Sequence, residues 1–189
     1  MKQAKVLTDA EMKRFLATVA SCRHGERNRL AVMLSNLAGL RVVEIASLTI
    51  GDVVDGDGRI RDQVRLNPAS TKGGVERTVF VSQRLQREIK RYLGTLPGLP
   101  APEMPLLRTQ KRSAFSANTL CQLFGELYRK AGIDGASSHS GRRSFITKLA
   151  HNGISPKVIM ELAGHKHLTT TQRYIDVNDE MKRAAVEVV

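Results

Sequence analysis

His139-Ser140-Gly141-Arg142, Leu162-Ala163-Gly164-His165 and Tyr174 follow one another in the last third of the chain, and Arg41 and Lys72 stand upstream of them. These segments bring together imidazoles, guanidiniums, an ammonium and a phenol. None of these residues is rare; the order, the spacing and the basic chain around them carry the signal. A guanidinium forks onto two phosphate oxygens at once, an imidazole moves protons near neutral pH, and a phenol becomes a nucleophile with a base beside it. The set suits a site that grips a phosphodiester and attacks it with tyrosine.

Each residue also has a plainer reading. Arg41 follows Gly39-Leu40 at a predicted helix start, where backbone N–H groups favour an anion; otherwise it is a surface arginine paired with Glu44. Lys72, in Ser70-Thr71-Lys72-Gly73-Gly74, sits at a hairpin tip, from which it can donate a proton to a leaving group or simply stay solvated. His139 and Arg142, at i and i+3, share one helix face. That turns Arg143 elsewhere, toward a salt bridge or the DNA backbone, and Lys166 beside His165 is a second candidate for backbone contact. His165 follows a glycine that lets the backbone approach a ligand. Tyr174 closes the polar run Thr169-Thr170-Thr171-Gln172-Arg173. That setting suits an exposed, usable hydroxyl, the alternative being a ring whose hydroxyl caps a local hydrogen bond. A zinc reading of His139, His165 and His167 lacks a carboxylate or cysteine at ligand spacing, so neither a metal nor another cofactor is expected.

The elements that must position these groups are legible in part. Thr8-Asp9-Ala10-Glu11 has the spacing of a capping box and opens a helix to about Ala20. A second helix runs from about Glu26 to Ala38, with Gly39 suited to its end, and a short one spans Arg41 to Leu48. The period drops to two over Arg59 to Leu66 and again over Arg77 to Val81, with Lys72-Gly73-Gly74 between, which predicts a β-hairpin. Ser82 caps a helix over Gln83 to Leu93, and Pro97 to Pro102 is a surface loop. From Ser116 the chain reads helical, broken near Gly132, Asn152-Gly153 and Gly164, with a helical tail over about 176–189. The fold class is α+β, mainly helical with a small antiparallel sheet.

With 189 residues, 41% apolar and 25% charged, the chain suits one domain with a sizeable core. No apolar run approaches the ~20 residues of a membrane span, and the amino terminus leads into a helix cap with no signal-peptide core. A cytoplasmic, nucleoid-associated protein is expected. Cys22 and Cys121 form no disulfide framework and are expected to be reduced and partly buried. The formal charge of +12 calls for a polyanion. Aromatics are only 4% and tryptophan is absent, so stacking platforms for single strands or RNA are poorly provided and duplex DNA is the expected partner.

Taken together, these segments resemble the catalytic domain of the tyrosine recombinase family, also called the phage integrase family, from Leu7-Thr8 to about Met181. Leu37 to Ile45 resembles its first arginine motif, Ser70-Thr71-Lys72-Gly73 its β-hairpin lysine, His139-Ser140-Gly141-Arg142 its H-x-x-R motif, and Leu162-Ala163-Gly164-His165 with Tyr174 its L-G-H and nucleophile segment. Gly141 and Ala163 stand where the family often has leucine. Most members carry a helical core-binding domain first, whereas only six residues precede Leu7. Residues 1–189 are thus expected to be a catalytic domain alone, as in the fimbrial inversion recombinases, or a fragment of a longer integrase.

The resemblance implies that Tyr174 attacks the scissile phosphate, forming a 3′-phosphotyrosyl bond and releasing a 5′-hydroxyl. Arg41 and Arg142 would hold the non-bridging oxygens against the growing charge, and His139 would act as base on a phenol whose ordinary pKa is about 10. His165 would donate a hydrogen bond to the phosphate, Lys72 would protonate the leaving oxygen, and Glu44 would orient Arg41. The synapse would be a DNA-dependent tetramer of the chain. Two other readings compete. Gly153 to His165 also reads as half of a helix-turn-helix in a non-cleaving regulator, and a type IB topoisomerase relative would share the chemistry without joining two sites.

Overall fold

A computed structural model describes residues 3–67, 77–175 and 179–187. The elements run α1 (Asp9–Ala20), α2 (Gly25–Ala38), α3 (Val42–Ser47), α4 (Ile50–Val53), β1 (Gln63–Leu66), β2 (Arg77–Phe80), α5 (Gln83–Leu93), α6 (Ala117–Lys130), α7 (Ser140–His151), α8 (Pro156–Ala163), α9 (Leu168–Gln172) and α10 (Asp179–Val186). The predicted mainly helical architecture with a two-stranded antiparallel sheet is what forms.

Local chemistry starts and stops these helices as expected. The Thr8 side chain accepts from the Glu11 N–H while the Glu11 carboxylate accepts from the Thr8 N–H, closing the capping box. Ser82 caps α5 by accepting from the Leu85 N–H, and Ser116 caps α6 by accepting from the Thr119 N–H. Helix α2 ends on Gly39 in the left-handed region, φ 62°, a conformation that side chains disfavour.

Helix α2 is buried over most of its length from Asn28 to Ala38, the polar Asn28, Ser35 and Asn36 included, and it packs against α1, α3, α5 and α7. Phe15 of α1 stacks on Tyr128 of α6 at 4.2 Å between ring centres in this main core. A smaller cluster lies under α7 and α8, where Ile146, Ala150, Ile159 and Ala163 are buried and Tyr174 packs against them.

Two local expectations differ from the structure. The first strand begins at Gln63 and not at Arg59, because Asp55 folds the preceding run back: its carboxylate accepts from the Asp57 and Arg59 N–H groups, and Ile60 bridges Val54. Cys121 is exposed, while Cys22 is half-buried. Gly141, in a position often filled by leucine in the family, has no room for one. A Cβ there would lie 2.7 Å from Ser35 Oγ and 2.9 Å from Ser35 Cβ, so the glycine is what lets α7 lie against α2. The hairpin turn with Lys72 falls outside the described residues.

Gly141→Ala should therefore lower stability by ~1–3 kcal/mol in urea unfolding. Adding Ser35→Ala, which removes a buried hydroxyl without a partner, should restore part of the loss.

Candidate active site

Helix α8 starts at its Ser155 cap with Pro156 in the first turn and ends on Gly164 in the left-handed region, φ 61°. The last carbonyls of a helix have no partner within it and carry the negative end of its dipole. Here arginines take three in succession. The Leu162 carbonyl accepts from Arg77, the Ala163 carbonyl from Arg142, and the Gly164 carbonyl from Arg41 at 2.9 Å. Arg142 also donates to the Gly39 carbonyl at the end of α2. Gly164 has a second reason to be glycine, because a Cβ would come within 2.5 Å of the Arg77 side chain.

Glu44, wholly buried, ties two of the three arginines together. Its carboxylate accepts from the Arg41 N–H at 2.7 Å, the Arg41 guanidinium at 2.8 Å and the Arg77 guanidinium at 2.8 Å. Burial opposes its charge, but the hydrogen bond and charge of Arg77, then those of Arg41, outweigh burial and hold the carboxyl below the usual range. Three cations against one carboxylate leave two positive charges unbalanced. Arg142, 6% exposed, registers that excess. Burial first, then the Arg41 and Arg77 cations, pull it down to about 9, which still leaves it charged at neutral pH.

His165 follows the α8 turn directly. Its N–H donates to the Met160 carbonyl, and its Nδ1 lies 2.9 Å from the hydroxyl of Thr171, a wholly buried residue. Burial, then Arg142, Arg41 and Arg77, lower its pKa to about 4, so the ring is neutral at pH 7. The Tyr174 ring stacks on His165 at 5.7 Å and 22°. The tyrosine is half-buried at the end of α9, where its N–H donates to the Thr171 carbonyl, and its hydroxyl makes no hydrogen bond among the described residues.

Arg41 and Glu44 from the start of α3, Arg142 from α7, His165 from the end of α8 and Tyr174 from after α9 thus come to one place. His139 is the exposed residue that begins α7, one turn before Arg142, and Lys166 is exposed beside His165. Arg143 does not turn away from the site, as its position beside Arg142 suggests. Its guanidinium carbon sits 5.6 Å from the centre of the Tyr174 ring. Sequence reasoning missed Arg77 and Thr171. A signal for Arg77 was present, since it shares a strand face with the buried Val79 and Val81, an apolar register where a charge needs a partner. Among the described residues no three His, Cys, Asp or Glu side chains gather as metal ligands would.

The sequence profile of the Phage integrase family matches residues 5–181. Tyrosine recombinase XerA of Pyrococcus furiosus is 34% identical over 187 residues, covering 97% of this chain and 61% of that protein. Tyrosine recombinase XerD of Neisseria meningitidis serogroup B is 30% identical over 176 residues, 91% of this chain and 58% of the relative. The chain therefore spans about three-fifths of the length of these two relatives. Among solved structures, the XerA recombinase crystal structure superposes with a TM-score of 0.76 at 24% identity, over 98% of this chain and 63% of that one. The Tn1549 transposon integrase in complex with a circular intermediate DNA gives 0.74 at 20% identity, over 100% of this chain and 67% of that one. Both show the same fold.

The low His165 value has a sign that can be tested. Unfolded histidine titrates near 6.5, so between about 6.5 and about 4 the unfolded chain binds the extra proton and stability falls as pH drops. His165→Gln should flatten that slope in urea unfolding. By NMR the His165 ring should titrate near 4, and sulfate bound among the arginines should raise the midpoint. A midpoint near the ordinary value in the free protein would contradict the cationic surroundings.

Proposed function

The chain belongs to the phage integrase family, the tyrosine recombinases, and from that premise we propose that it is a site-specific DNA recombinase. It cleaves and rejoins duplex DNA through a 3′-phosphotyrosyl intermediate. The observation that carries the reading is the convergence of Arg41 and Arg142 on the end of α8, two residues from where His165 meets Tyr174. Two unbalanced positive charges in a half-buried site suit a phosphodiester. Donors fixed before substrate arrives act on the transition state without reorganisation.

In the proposed reaction the Tyr174 oxygen bonds to phosphorus and the bond from phosphorus to the 5′ oxygen breaks. His139 takes the phenol proton and Lys72 gives one to the departing oxygen. Arg41 and Arg142 hold the non-bridging oxygens, and losing one such clamp typically slows catalysis ~10²–10³-fold. With the Thr171 hydroxyl donating to Nδ1, His165 keeps its proton on Nε2 and donates it in a hydrogen bond to the phosphate. Glu44, with Arg77 on its other side, fixes Arg41. Lys166 remains a candidate for the DNA backbone. The phosphotyrosyl bond conserves the energy of the broken bond, so rejoining by the 5′-hydroxyl requires no metal or nucleotide.

The partner is duplex DNA, and the active assembly is a DNA-dependent tetramer in the cytoplasm, associated with the nucleoid. Among the described residues no helix is long and apolar enough to cross a membrane.

A nicked suicide substrate tests the assignment. Wild type should give a protein–DNA adduct that survives detergent, and Tyr174→Phe should give none while binding the duplex with comparable affinity. An adduct from the phenylalanine variant would remove Tyr174 as nucleophile. Binding without an adduct from wild type would favour the non-cleaving regulator, and relaxation of a plasmid lacking a recombination site would favour the topoisomerase relative.

A further inference from the structure

Arg41, Arg77 and Arg142 each engage a carbonyl at the end of α8, and Arg41 and Arg77 also share Glu44. Arg143 differs from them. Among the described residues its guanidinium makes no ion pair and no hydrogen bond, and its Nε is buried without a partner. What it touches is Tyr174, with its guanidinium carbon 5.6 Å from the ring centre. That lies within the ~6 Å over which a cation is attracted to an aromatic face, an attraction that strengthens when the cation is withdrawn from water.

We infer that Arg143 is a positioning residue for the nucleophile: its guanidinium lies over the Tyr174 ring and holds the phenol beside His165. The inference rests on the reading of Tyr174 as nucleophile. Successive residues of a helix diverge by about 100°, and α7 uses that divergence. Arg142 reaches the end of α8, where the phosphate clamp forms, and Arg143 reaches the tyrosine that follows α9. One turn of one helix thereby sets the nucleophile against the clamp. Loss of the phenol proton to the base puts negative charge on the oxygen and ring, so the pull of the guanidinium is greater as the proton leaves than on the neutral phenol, the condition for speeding the step as well as binding the ring. The buried Nε faces away from water, whereas a lysine or arginine serving only the DNA backbone keeps its head solvated.

The test separates positioning from DNA binding. Single-turnover cleavage of the nicked duplex at saturating protein is compared among wild type, Arg143→Met, Arg143→Gln and Arg143→Lys, with duplex affinity and thermal unfolding measured alongside. The neutral variants should cleave about tenfold or more slowly at saturation with nearly unchanged affinity, and lysine, which keeps the cation, should recover much of the rate. Methionine and glutamine together keep the comparison available if one of them fails to fold. An unchanged saturating rate with weakened affinity would make Arg143 a phosphate contact and overturn the inference, as would rates and affinities all equal to wild type. Equal loss in the lysine and neutral variants would reduce the residue to packing. A wild-type protein that forms no adduct sinks the nucleophile assignment and this inference with it. Normal wild-type cleavage with an undisturbed Arg143→Met rate sinks this inference alone.

Discussion

The last turn of α8 has three consecutive carbonyls that its own helix cannot satisfy, and three arginines from three other elements satisfy them. Hydrogen bonds to charged groups contribute ~1.5–3 kcal/mol each, and leaving a buried charge without its partner costs about 3–5 kcal/mol. The αL turn at Gly164 aims these carbonyls, and the Arg77 side chain lies where any larger residue would place its Cβ. Start of α3, start of β2, first turn of α7 and end of α8 are thereby fixed to one another. Tyr174 follows this fixed point closely in sequence.

The same arrangement concentrates charge. Glu44 neutralises one cation and no second carboxylate reaches Arg142 among the described residues. Burial first, and then this excess, lower the pKa of Arg142 and of His165. An anion entering this site relieves the repulsion among the cations and raises the proton affinity of the imidazole, so the proposed phosphate complements the site electrostatically. Carbonyl partners orient guanidiniums without cancelling their charge, as carboxylates would. This lets the clamp be rigid and still attractive to a phosphodiester.

What the sequence revealed was mostly local. Caps at Thr8 and Ser82 act through neighbours three residues on, and the glycine at 39 ends α2 by its own positive φ, so local sequence announces them. Arg41, Arg142, His165 and Tyr174 were found through the ordered motifs of a family, not through any periodicity. Arg77 was not, because its partners Glu44 and Leu162 lie 33 and 85 positions away. Only its parity with Val79 and Val81 hinted at burial. Arg143 was misdirected for a related reason: an i, i+3 argument places His139 and Arg142 on one face but says nothing of the α9 segment that comes to meet the next face. Gly141 showed in sequence as a departure from leucine, and its cause, the approach of Ser35, is a tertiary contact.

Gly164→Ala tests the dependence on the α8 turn most directly, since it adds one carbon at a φ of 61° beneath Arg77 and removes no charge. In single-turnover cleavage of a nicked duplex at saturating protein, a cradle that relies on this turn should lose ~10²-fold in rate, the scale of a displaced oxyanion donor. Duplex affinity should stay close to wild type, because the rest of the basic surface is unchanged. A folded Gly164→Ala protein that cleaves at the wild-type rate would contradict the account.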